Sequence, residues 1–123
     1  LERRADELRK IADPKVQLWG TGRVFREFLH VDDLADAALF LLQRYDSEEI
    51  INIGCGEDQT IYQLAEVMQQ VVGFVGEVVW DSTKPDGTPK KQLDVTRLTA
   101  LGWQPSINLH DGLRTVYSHY CQR

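Results

Sequence analysis

The stretch WGTGRVFREFLHVDDLADAA, Trp19 to Ala38, decides how the chain is read. It places an aromatic, a pair of glycines and Arg26 at the entry to a short strand expected over Glu27 to Val31. That strand runs directly into a helix. Asp32 offers a carboxylate to the free amides of the helix N-terminus. Leu34, Ala38, Leu41, Leu42 and Tyr45 then recur at helical spacing, with Ala35, Ala37 and Leu39 filling much of the remaining circumference. A helix so apolar all round needs cover on more than one side. The order is that of a ligand-facing loop followed by a scaffold that holds it.

Working outward, Val16 to Trp19 is a short apolar strand, and Leu1, Ala5, Leu8 and Ile11 or Ala12 lie at the spacing of an amphipathic helix over residues 1–12 that stops before Pro14. Arg3, Arg4, Arg9 and Lys10 make the charged face of that helix, either solvated or with one of them reaching a phosphate. Downstream, Ile50 to Ile53 is a continuous apolar run that suits a strand buried on both faces, a piece of a larger parallel sheet. Gly54 and Gly56 follow it. Thr60 and Gln63 stand at capping-box spacing and open a helix with Ile61, Leu64, Ala65, Met68 and Val72 on its apolar side, ended by Gly73. Glu77 to Trp80 is another strand. After the loop Asp81 to Lys91, Asp94 can cap a short helix through Leu101, and Asn108 caps a last helix with Leu109, Leu113, Val116, Tyr117 and Tyr120 on one stripe. Strands and helices alternate, so the class is α/β.

The 123 residues make one domain at most, long enough to bury a core. A net charge of −5 argues against non-specific nucleic-acid binding, although an acidic chain can carry a local basic site for phosphate. Cys55 and Cys121 have neither CxxC spacing nor a neighbouring histidine, so neither a zinc site nor a disulfide framework is indicated, and a reducing cytoplasm is the expected location. No apolar run approaches the length of a membrane span, and LERRADELRK lacks the apolar core of a signal peptide. Leu1 in place of an initiator methionine is what a segment of a longer product would show.

The motifs exclude more than they assign. The Gly54 and Gly56 pair follows a strand and precedes a helix, but Gln59 stands where a dinucleotide-binding turn needs a third small residue; Gly20 and Gly22 meet Phe25 at that place. Tight turns are the better reading of both. Tyr45, Tyr62 and Tyr117 are followed four residues on by Glu49, Glu66 and Cys121, so the Tyr and Lys pair of a short-chain reductase is absent. His30, His110 and His119 are grouped neither with each other nor with carboxylates at metal spacing. Arg26 can take a diphosphate in a bidentate contact or pair with Glu27 or Asp33. Trp19 can stack on a ring or close the core. In KPDGTPKK, Lys84 to Lys91, two prolines stiffen a loop whose Lys84, Asp86, Lys90 and Lys91 suit sugar hydroxyls and phosphates, or simply solvent.

Taken together, WGTGRVFREFLHVDDLADA, INIGCGEDQTI and VVWDSTKPDGTPKKQLDVTRLTALGW, in this order and spacing, resemble the C-terminal part of the GDP-L-fucose synthases. These are NADP-dependent GDP-4-keto-6-deoxy-D-mannose 3,5-epimerase/4-reductases among the extended short-chain dehydrogenase/reductases. The resemblance implies the C-terminal substrate-binding portion of such an enzyme over residues 1–123, a small mixed sheet with about four to five helices, its N-terminal Rossmann core not included. It implies substrate contacts by Trp19, Arg26 and Asp86, with Lys91 near the diphosphate, and a weaker correspondence of Arg4 to a substrate-contacting arginine. The family's NADP loop, its Ser-Tyr-Lys set and its acid and base for epimerisation all fall before Leu1. Cys55 and His30 do not correspond to that acid and base. No catalytic, metal-binding or cofactor-binding residue is therefore assigned within the chain, which is not expected to catalyse alone. The implied partners are a GDP-sugar, an N-terminal Rossmann portion and, for the chain by itself, a second copy. The rival readings are the substrate domain of another nucleotide-sugar epimerase or dehydratase, and a stand-alone, non-catalytic self-associating module.

Overall fold

The computed structural model describes residues 14–123; the helix expected over residues 1–12, Arg4 included, lies outside them. The elements are β1 (Lys15–Trp19), β2 (Phe25–Glu27), α1 (Val31–Arg44), β3 (Asp58–Thr60), α2 (Ile61–Val72), β4 (Glu77–Asp81), β5 (Lys90–Lys91), α3 (Thr96–Ala100) and α4 (Leu109–Cys121). The strands form two small sheets, one of them the small mixed sheet expected. In one, β1 pairs with β4 in parallel; in the other, β2 is flanked by antiparallel β3 and parallel β5. Val16 lies opposite Val78 and Leu18 opposite Trp80. Because side chains alternate across a strand, these four share the apolar face of the β1/β4 ribbon, while Lys15 and Glu77 form an ion pair on the other.

Local signals are realised where one element supplies both partners. Thr60 and Gln63 form the capping box in both directions. Gly73 ends α2 in the left-handed region at φ 72°, and Asn108 accepts from the Asp111 amide at the start of α4. Asp94 receives both the amide and the hydroxyl of Thr96, two residues on, but it is not the cap expected: the N-cap of α3 is Val95, which makes no side-chain cap bond.

Three further expectations need correction. The second strand is Phe25–Glu27 and not Glu27 to Val31, since β3 and β5 flank it only that far and the helix begins at Val31. The cap of α1 is His30, whose Nδ1 accepts from the Asp32 amide; Asp32 itself lies in the first turn, where its charge meets the positive end of the helix dipole. Ile50 to Ile53 is not a strand. It has no pairing strand among the described residues, and Ile50 stands 87% exposed.

The core lies between α1 and the segment around α3. Ala37, Leu98 and Trp103 are buried there, with Leu29, Phe40, Leu41, Ile51 and Ile53 packed around them. Two carboxylates of α1 fasten this junction. Trp103 Nε1 donates to Asp36 at 2.8 Å, and buried Asp33 accepts from the Ser106 amide and hydroxyl and from the Ile107 amide. The far side of α1 is bare: Leu34, Leu39 and Leu42 are exposed, the last by 83%.

Candidate substrate site

The turn Gly20 to Gly22 sits at the end of β1 with φ of 86° and 73° at its two glycines, a region that a residue with a Cβ rarely enters. A Cβ at Gly20 would collide with the Asp86 carboxylate, and one at Gly22 with the Trp80 ring, which is itself stacked on Tyr62 at 5.9 Å between centroids. Between the glycines, Thr21 donates its amide and its hydroxyl to the two oxygens of Asp86, each at 2.6 Å. These bonds, the hydroxyl first, hold the Asp86 carboxyl below the usual carboxylate range. They also tie the turn to the KPDGTPKK loop.

That loop reaches the other expected residues along its length. At its start, Lys84 Nζ lies 5.3 Å from the ring centre of Trp19, whose indole is 72% exposed and so takes no part in the core. Midway, Gly87 passes beside the Arg26 guanidinium. At its end, β5 pairs with β2 so that Arg26 and Lys91 are direct neighbours. Partners in a parallel ladder project to the same side, so the two cations stand on one face. Arg26 donates to the Phe25 carbonyl, and neither it nor Lys91 has a carboxylate partner among the described residues. The ion pairs open to Arg26 on sequence grounds do not form, because Glu27 and Asp33 are engaged by backbone amides.

Arg26 and Lys91 line an open cleft of about 520 Å³ together with Glu27, Ile53, Gly54 and Gln92. Two adjacent unpaired cations beside polar backbone suit a diphosphate. Another cavity, of about 560 Å³, lies between Cys55 and Trp103; among the described residues its lining contains no lysine or arginine and one carboxylate, Glu57, which does not suit an anion. Burial pushes the Cys55 thiol up, which leaves it protonated and poorly nucleophilic.

Glu27 is the residue that sequence reasoning passed over. One of its oxygens accepts from the amides of Cys55 at 2.6 Å and Gly56 at 3.4 Å, and the other from Leu93 at 3.1 Å. The Gly54 to Gly56 turn is thus already filled by a carboxylate. With Thr21 committed to Asp86 in the other turn, neither glycine pair fits the pyrophosphate of a dinucleotide. The nearest signal in the sequence was a carboxylate alternating with Arg26 on a strand, and its amide partners lie too far along the chain to be read from it.

Comparison with known proteins places the chain by similarity of sequence and fold. Residues 3–54 match the NAD dependent epimerase/dehydratase family. The chain is 52% identical to GDP-L-fucose synthase 1 of Arabidopsis thaliana over 98% of its own length and 37% of that protein's. It is 44% identical to the GDP-L-fucose synthase of Escherichia coli (strain K12), covering 89% of the chain and 37% of the relative. Among solved structures, GDP-mannoheptose C4 reductase from Campylobacter jejuni, with NADP bound, superposes with a TM-score of 0.78 at 38% identity, over 87% of this chain and 35% of that one. The chain spans little more than a third of each. It therefore corresponds to part of an extended short-chain dehydrogenase/reductase of the NAD dependent epimerase/dehydratase family. Its similarity is to about 37% of the length of the GDP-L-fucose synthases, consistent with their C-terminal portion.

Proposed function

We propose that this chain is the nucleotide-sugar-binding portion of a GDP-L-fucose-synthase-like epimerase/reductase and that it is not catalytic by itself. The carrying observation is the pairing of Arg26 with Lys91, two cations without carboxylate partners among the described residues, on one face of a cleft bordered by the KPDGTPKK loop. They take the diphosphate. Exposed Trp19 stacks on the nucleoside or sugar, and Asp86 meets sugar hydroxyls with the lone pairs that Thr21 leaves free. Arg4, outside the described residues, is assigned to the same diphosphate by its correspondence in the family. Hydride transfer from NADPH and the epimerisations belong to a Rossmann portion that docks on the bare face of α1 and supplies a neighbour strand to Ile50 to Ile53. In its absence, a second copy covers that face. The cytoplasm is the setting proposed; among the described residues no helix is long and apolar enough to cross a membrane.

Calorimetric titration with GDP and GDP-mannose, with UDP as the control, tests this reading. The parent chain binds the guanosine nucleotides in preference to UDP, and Arg26→Ala and Lys91→Ala each weaken binding by roughly tenfold, the loss of one charge-assisted contact. Unchanged binding by Arg26→Ala removes the assigned role.

A further inference from the structure

We infer that Glu27 is a positioning residue that sets Lys91 opposite Arg26, an inference resting on the reading of their cleft as a diphosphate site. The ladder that aligns the two cations is very short: β5 has two residues and β2 three. Ladders of this length fix their register weakly. The alignment has to be held from outside, and Glu27, the next residue after Arg26, is placed to do so. Its carboxylate accepts the Leu93 amide, two residues beyond Lys91, and on its other oxygen the amides of Cys55 and Gly56. Three backbone donors from two segments thus converge on one side chain of β2. Gln92 adds a brace from the same stretch, donating to the Gly56 carbonyl at 2.8 Å. Gly54 is buried in contact with the latch, where a Cβ would collide with Glu27 and crowd Val95.

Two roles for this carboxylate predict opposite signs. Acting only as a negative charge beside Arg26 and Lys91, it repels an incoming anion, so its neutralisation tightens binding. Acting as a latch, it holds the cations in register, so its neutralisation weakens binding. Glu27→Gln removes the charge and leaves one good acceptor for two sets of donors; Glu27→Asp keeps the charge and loses the reach.

The test is GDP titration of the 123-residue chain as parent, Glu27→Gln, Glu27→Asp, Arg26→Ala and the Glu27→Gln/Arg26→Ala double variant, with amide exchange followed at Cys55 and Leu93. The latch predicts roughly tenfold weaker GDP binding for both Glu27 variants, no further loss from Glu27→Gln once Arg26 is alanine, and faster exchange at both amides. Equal or tighter binding by Glu27→Gln overturns the latch and leaves the diphosphate reading standing. If the parent itself binds no GDP, that reading fails, and the exchange rates decide on their own: unchanged protection at Cys55 and Leu93 in Glu27→Gln overturns the latch, and faster exchange upholds it.

Discussion

Asp33 is 3% exposed, and its carboxylate gathers the amides of Ser106 and Ile107 and the Ser106 hydroxyl. Burial alone would raise its pKa, but these donors, Ile107 first, bring it below the ordinary value. A carboxyl whose pKa is lower folded than unfolded adds stability above its unfolded value, about pH 4, and loses it as pH falls through the folded one. The urea midpoint of the chain therefore drops below about pH 4, and Asp33→Asn flattens that part of the profile. Asp33→Ala at neutral pH leaves buried amides without an acceptor and costs about 3 kcal/mol, read from the shift in urea midpoint. Side chains of this kind mark the limit of what the sequence could tell. The caps at Thr60 and Asn108 were legible because donor and acceptor lie three residues apart. Asp33 and Glu27 find their partners 73 and 66 residues away, and no local pattern announces such a meeting.

Elements were legible where their cause was local and illegible where it was tertiary. The capping box of α2 closes two hydrogen bonds, and Thr60→Ala loses about 1 kcal/mol and a few degrees of melting temperature. Strand β1, β4 and the glycine stop of α2 followed from short apolar segments and backbone freedom. By contrast, Ile50 to Ile53 has the composition of a buried strand and remains unpaired among the described residues, because composition states what a segment needs and not whether it is provided. The Gly20 to Gly22 turn was read correctly as a tight turn, but its fit against Asp86 and Trp80 came only with the fold. Gly20→Ala forces the turn away from Asp86 and loosens the KPDGTPKK loop. Its expected effect is weaker GDP binding with far-ultraviolet circular dichroism nearly unchanged; equal loss of both would mean that the turn supports the fold and not the site.

For the molecule as a whole, the α/β class and the family were legible in three sequence blocks, while the division into two small sheets was not. Leu39, Leu42 and Ile50 are exposed by 61%, 83% and 87%. Apolar surface of this kind is normally covered. The chain alone is expected to sediment as a dimer or larger species at micromolar concentration, and Leu39→Glu/Leu42→Glu to raise the monomer fraction; a monomeric parent would count against a vacated interface. The site also has a history in time, because the bonds that shape it join residues far apart in synthesis. Thr21 meets Asp86 across 65 residues and Glu27 meets Leu93 across 66. At roughly 5–20 residues per second, the first half of each latch waits several seconds on the ribosome for the second. The cationic cleft therefore cannot exist until Leu93 has been made, and a nucleotide can find it only after the carboxylates have found their amides.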